Sequence, residues 1–204
     1  MDLLELNTAS SGLDEFFSQQ KRECLENRIL VFNQDVDDNL VEDIVLYILK
    51  WNMEDKDIPI DKRKIIKIYI SSTGGDSFVA QNVVDVIMNS KTPIIGVGLS
   101  LVASAAYHIY LACHERVSWK GSIFLQHDGT ISISNSSKKA ADTFRFMESL
   151  ELRGKEFILS RTKMTEEFYD KIFESEYWML ADEAKELGIV HKIIGQDVDI
   201  DYIL

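Results

Sequence analysis

The chain has 204 residues, 46% of them apolar, enough for one domain with a sizeable core and not the composition of a disordered segment. Its formal net charge of −12 works against a polyanionic partner, so no nucleic acid is expected. The two cysteines, Cys24 and Cys113, form no spaced pattern and fit a reducing cytoplasm. The acidic start Met1-Asp2-Leu3-Leu4-Glu5 lacks the basic-then-apolar layout of a secretory leader.

Residues 1–27 are polar and charged, with a short apolar cluster from Leu13 to Phe17, and read as an N-terminal arm or axial segment. Residues 28–204 read as a single domain. Arg28 to Phe32 is a buried first strand, and Asp35-Val36-Asp37-Asp38 supplies N-cap chemistry for a helix with apolar positions from Leu40 to Trp51. Glu54 to Lys64 is charged, carries Pro59 and reads as a loop. Ile65 to Ile70 is the second strand and runs into Ser71-Ser72-Thr73-Gly74-Gly75-Asp76. A helix of about 15 residues follows through Val79, Val83, Val84, Ile87 and Met88, ends at Thr92-Pro93, and gives way to a third strand, Ile94 to Val97.

Pro93 to Cys113 has no fixed charge over 21 residues, the length of a membrane span. Its glycines, its histidine and its β-branched first half favour a buried strand followed by a buried helix, so no membrane is expected. Arg116 to Trp119 and Ser122 to His127 are two short strands. Asp128-Gly129 is a turn, Thr130 to Ser134 alternates like an exposed strand, and Asn135-Ser136-Ser137 caps a helix from about Lys138 to Arg161. That helix would span roughly 36 Å, long enough to protrude and pack on another subunit. Thr165-Glu166-Glu167 starts another helix, Ala181 to Ala184 a short one that stops at Gly188, and Ile189-Val190 with Ile193-Ile194 forms the last strand.

Strand and helix alternate, which predicts an α/β fold of right-handed βαβ crossovers around a mostly parallel sheet. Ligand sites in such sheets lie beyond the carboxyl ends of the strands. Gly74-Gly75 and Ser104 each follow a predicted strand, so they share one edge of the sheet, and His127 ends a strand as well.

That edge has the parts acyl transfer needs. Ser104, in the small-residue knot Val102-Ala103-Ser104-Ala105-Ala106, is the candidate nucleophile at a helix N-terminus. The Ala105 N–H and those of Gly74 and Gly75 are the candidate oxyanion and substrate-binding donors. His127 is the candidate base. A packing serine, a tight Gly-Gly turn and a structural histidine account for the same residues at this level. His108 reads as a core residue, and His114 and His191 as surface ones. No histidines have metal-ligand spacing with a carboxylate or cysteine, so neither a metal nor a cofactor is expected. Gly96-x-Gly98 lacks the third glycine of a dinucleotide fingerprint.

Five segments in order resemble the proteolytic subunits of Clp proteases, the ClpP family of serine peptidases. They are Arg28 to Phe32 with Val36-Asp37-Asp38; Ile68 to Gly75, like the family's Tyr-Ile-Asn-Ser-Pro-Gly-Gly run with Thr73 for proline; Ala103-Ser104-Ala105-Ala106; Ser122 to His127, with the family's serine-to-histidine offset; and Ala181 to Ile189. The similarity runs from about Arg28 to Gly195. It implies a ClpP/crotonase-type spiral of βαβ units with a strand-helix handle at about 128–161. It further implies self-association into stacked heptameric rings, unfolded protein substrates cut in an internal chamber, and an AAA+ unfoldase partner of the ClpX, ClpA or ClpC type.

Three departures qualify the resemblance. The spacing around Ser104 differs by two residues on each side. Ile172 stands where the family carries its triad aspartate; Asp170 is the favoured substitute, Glu174 is in reach, and a dyad or a dead site is equally allowed. Lys67 replaces an aromatic that, in the family, lines the apolar pocket for the unfoldase. A non-catalytic ring subunit therefore stands beside the peptidase reading. A crotonase-like acyl-CoA enzyme ranks below both, because no basic residue lies near Gly74-Gly75 to meet a CoA phosphate.

Overall fold

The computed structural model describes residues 16–129 and 132–204. In chain order the elements are helix α1 (16–26), β1 (Ile29–Phe32), a π-helical turn (Val41–Val45) running into α2 (Leu46–Glu54), β2 (Ile66–Ser72), α3 (Ser77–Asn89), β3 (Ile94–Ala103), α4 (Ala105–Ala112), β4 (Glu115–Trp119) and β5 (Ile123–Gln126). Then come α5 (Ser137–Arg161), α6 (Glu166–Phe173), β6 (Tyr177–Leu180), α7 (Ala181–Glu186), β7 (Lys192–Ile194) and a 3-10 turn, Ile200–Tyr202.

The strands form a seven-stranded mixed sheet of order β1-β2-β3-β4-β7, with β5 on β3 and β6 on β5. All pairings are parallel except β5 with β6. Strand β3 makes this possible by being long. Its first half, Ile95 to Gly98, pairs with β4, and its second half, Leu101 to Ala103, pairs with β5. The expected end of this strand at Val97 is therefore too early: the strand runs on to Ala103, and its two halves serve two neighbours.

Burial along β2 alternates strictly. Ile66, Ile68 and Ile70 are fully buried under the helices, while Lys67, Tyr69 and Ser71 face the other side. Helix α4 is buried on every side, including Tyr107, Ile109, Tyr110 and Leu111, which explains the uncharged run in the sequence. No helix among the described residues is long and apolar enough to cross a membrane.

The carboxyl end of α4 is held by two arginines. Arg116 is 2% exposed and donates to the carbonyls of Leu111 (3.1 Å), Cys113 (3.3 Å), Gly188 (3.0 Å), Ile189 (2.7 Å) and Arg161 (2.9 Å). Arg161 donates to Leu111 at 2.9 Å and Cys113 at 2.8 Å. Carbonyl dipoles at a helix carboxyl end favour cations, so the pair is satisfied without a carboxylate. Burial, then the neighbouring Arg161, lowers the Arg116 guanidinium to about 10.

A second buried ion site ties β1 to α2. Arg28 forks onto Asp55 at 2.6 and 2.8 Å, and the Thr92 hydroxyl donates to the same carboxylate at 3.0 Å.

Several expectations need correction. Strand β6 is additional to the expected elements and pairs antiparallel with the free edge of β5. Ile189-Val190 is a turn, not part of the last strand, and its backbone is spent on the end of α7 and on Arg116. In the expected handle strand Thr130 to Ser134, residues 130 and 131 lie outside the described residues, and Ser132 to Ser134 are not in a strand. Residues 1–15 of the expected arm are likewise outside them. Helix α5, at 25 residues, buries only Ile158, and leaves Phe144, Phe146 and Leu152 more than half exposed.

Replacing Asp55 by Asn should cost about 3 kcal/mol of unfolding free energy in urea, because it leaves a shielded guanidinium without its counter-charge. Arg28 holds the Asp55 carboxyl below its ordinary value. The contribution is therefore complete above the unfolded pKa of about 3.9 and is lost only as pH falls through the lower folded value.

Candidate active site

Ser104 is the hinge between β3 and α4. Its φ of 54° and ψ of −125° put a non-glycine residue in a rarely occupied backbone region, a sharp strand-to-helix turn that presents the side chain at the sheet edge. Its N–H donates to the Leu125 carbonyl at 3.1 Å, locking the turn onto β5. The hydroxyl makes no capping hydrogen bond. At the start of α4 the Tyr107 N–H donates to the Ser104 carbonyl at 2.9 Å, while the Ala105 and Ala106 N–H groups take no acceptor among the described residues.

Gly74 is packed against that turn. A Cβ built on it would lie 2.7 Å from the Ser104 Cβ, 2.9 Å from the Ala103 oxygen and 3.0 Å from the Ala105 nitrogen. Only glycine fits, and its φ of 101° points the same way. From the other side Val36 bridges Gly75: the Val36 N–H donates to the Gly74 carbonyl and the Asp76 N–H to the Val36 carbonyl, both at 2.8 Å. Gly74 spends its own N–H on the Ser72 hydroxyl at 3.1 Å. In this parallel bridge the Gly75 N–H points away from Val36, and it takes no acceptor among the described residues. Of the two glycines, then, Gly74 supplies space and Gly75 supplies a free donor.

His127 follows β5. The register Ala103 to Leu125 puts Ser104 and His127 at the ends of adjacent parallel strands, which lie about 4.8 Å apart. The two side chains are not hydrogen-bonded to each other. The Nε2 atom of His127 is buried and has no hydrogen-bond partner among the described residues. Behind it stands His108 on α4, its ring against Tyr107 (centroids 6.1 Å) and Phe157 (6.3 Å). Burial, then the nearby His127, lowers His108 to about 4. The Tyr107 hydroxyl is also buried without a partner among the described residues. The sequence placed His108 in the core, and its neighbourhood with His127 adds a second imidazole to the site.

The third member does not come together as expected. Asp170 is exposed, and its carboxylate takes the Lys155 ammonium at 2.6 Å, which also pairs with Glu166 at 2.9 Å. Among the described residues no hydrogen bond joins Asp170, or Glu174, to His127. Ile172 is 4% exposed and belongs to the main core. On α6, Tyr169 is buried, and burial, then the charge of Glu151, raises its hydroxyl to about 12. Of the histidines read as surface residues, His114 accepts from the Ile94 N–H at 3.0 Å and His191 lies 2.6 Å from Arg116. No group of three potential metal ligands occurs among the described residues.

Stability should fall as pH drops from about 6.5 towards 4. His108 must stay neutral in the fold, with a folded value of about 4 against an unfolded one of about 6.5. The sign is that of a depressed pKa: the full contribution holds above 6.5 and is lost on acidification. His108→Phe should flatten part of this slope, read as urea midpoints across that range.

The comparisons with known proteins agree with this architecture. The family model described as Clp protease matches residues 14–197. A Treponema pallidum protein named ATP-dependent Clp protease proteolytic subunit 2 is 26% identical over 196 residues, covering 94% of this chain and 92% of its own. Its Treponema denticola namesake is 29% identical over 178 residues, covering 86% of each. A solved structure of a ClpP1 mutant from Listeria monocytogenes superposes with a TM-score of 0.72 at 24% identity, over 91% of this chain and 99% of that one, and shows the shared fold. With a spiral α/β sheet, a glycine pair against a helix-capping serine, and a family model that takes in nearly its whole length, the chain belongs to the Clp protease family, a family of peptidases.

Proposed function

We propose that the chain is a serine endopeptidase subunit working by a Ser104–His127 dyad. The observation that carries this reading is the strained turn at Ser104 pressed against Gly74, with His127 one strand away. His127 takes the Ser104 hydroxyl proton as the oxygen attacks the scissile carbonyl. The oxyanion that forms is met by the Ala105 N–H, at the positive end of α4, and by the free Gly75 N–H. His127 then gives the proton to the leaving amine, and water repeats the cycle on the acyl-enzyme.

The wider setting follows the family: rings of this chain or of mixed subunits, unfolded polypeptide substrates, an AAA+ unfoldase of the ClpX, ClpA or ClpC type, and the cytoplasm. The exposed apolar side chains of α5, Phe144, Phe146 and Leu152, support a second copy packing there. The orphaned His127 nitrogen and the isoleucine at position 172 favour one alternative, a ring subunit that has lost its chemistry and serves as structure.

A fluorophosphonate probe on the assembled protein separates the two. Labelling confined to Ser104 and abolished by Ser104→Ala is expected; no label would leave the structural role. Peptide hydrolysis should fall on the order of 10³-fold or more in Ser104→Ala. In Asp170→Asn it should stay within about threefold, against the ~10⁴ that a true triad aspartate commands.

A further inference from the structure

Of the eight residues of α4, all but His108 are buried; His108 alone is partly exposed. It stands four residues after Ser104, and its N–H reaches back to the Ser104 carbonyl at 3.4 Å, so the two share one face of the helix. Helical side chains lean towards the amino end, which carries the His108 ring over the turn that Ser104 opens. His127 is near enough to act on its charge, and the ring makes no hydrogen bond among the described residues. A neutral imidazole that reaches solvent has one donor and one acceptor to offer a ligand.

Helix α5 forms the opposite wall. Phe157 meets the His108 ring edge-on at 6.3 Å between centroids, and four residues later Arg161 meets the Leu111 and Cys113 carbonyls at the end of α4. These contacts fix the direction: α5 runs beside α4 in the same sense. One turn back from His108 is Ser104, and about one turn back from Phe157 is Gly154. Met147, Leu150, Gly154 and Phe157 repeat at three- and four-residue spacing and are partly shielded, while the other residues between Met147 and Gly154 are exposed. A Cβ built on Gly154 meets nothing within 4 Å. The stripe that carries Phe157 therefore has a gap at the level of Ser104, where the small Ala105 leaves space as well.

A gap walled by Phe157 and Leu150, with an imidazole one helical turn from the serine, about 5.4 Å along the axis, fits a side chain with an apolar body and a polar tip. We propose that His108 sets the substrate preference of this cleft: the residue whose carbonyl meets Ser104 is an aromatic one ending in a hydroxyl, tyrosine ahead of phenylalanine. The phenol O–H donates to the free imidazole nitrogen while its ring packs on Phe157. A phenylalanine leaves that imidazole unpaired once water is excluded, and a site that hydrogen-bonds a hydroxyl rejects the analogue lacking it. The inference rests on the Ser104 reading for the place of the scissile carbonyl and adds the class of side chain beside it.

The test is fluorescence anisotropy of two fluorescein-labelled peptide acids, Ala-Ala-Leu-Tyr and Ala-Ala-Leu-Phe, on the full chain carrying Ser104→Ala. Each is the product of a cut after its last residue, so its carboxylate takes the place of the acyl group at the Ala105 and Gly75 N–H donors. Binding needs no chemistry, so failure here and failure of Ser104 as a nucleophile are distinguishable. The tyrosine acid should bind about tenfold more tightly than the phenylalanine acid. Adding His108→Phe should bring the two within about twofold, and His108→Gln, which keeps a donor and an acceptor, should retain about a threefold preference. Gly154→Leu, which favours the helix and leaves His108 in place, should weaken both acids about tenfold by filling the gap, and it decides the matter if His108→Phe does not fold. Equal binding of the two acids, binding of neither, a preference that survives His108→Phe, or unchanged binding by Gly154→Leu overturns the proposal.

Discussion

The absence of one carbon atom sets the shape of the candidate site. Gly74 and the Ser104 turn occupy almost the same space, and any side chain on the glycine would collide with the serine's Cβ and with two backbone atoms. The rest follows from keeping that approach. Val36 fastens the glycine pair from behind, the Leu125 carbonyl fixes the serine amide from the side, and β3 extends past β4 to reach β5. The strain at Ser104 is tolerated because four separate segments fix the turn at once.

The electrostatics run along α4. Its amino end, with unsatisfied N–H groups, faces the hydroxyl and the free Gly75 donor. Its carboxyl end is buried on two guanidinium groups that donate to its carbonyls and pair with no carboxylate among the described residues. The imidazoles sit between these poles. His108 is held neutral by its surroundings, and a neutral neighbour would not oppose a charge on His127 in the proposed dyad. The carboxylate that would stabilise that charge in a triad is engaged elsewhere, by Lys155 on the surface of α5.

What the sequence conveyed depended on range. The strand-helix alternation, the small-residue knot and the glycine pair are local patterns, and each maps onto an observed feature. Ile172 could be read as core, since it lies on the apolar face of a short amphipathic helix. The pairing of Asp170 with Lys155 could not be read, because it joins two helices through side chains with other partners in reach. The burial of Arg116 was also hidden: a cation in a strand reads as exposed until the carbonyls of three other segments are seen around it. Strand β6 lay in a four-residue run too short for its period to show.

Arg161 is the last residue of α5, the helix that stands most free of the core, and its guanidinium holds the final carbonyls of α4. Helix α4 is eight residues long, about 12 Å, and Ser104 sits at its opposite end. A load applied to the outer part of α5 by whatever docks there has a rigid lever to the serine: the long helix, an arginine hook, and a short helix with no slack in its packing.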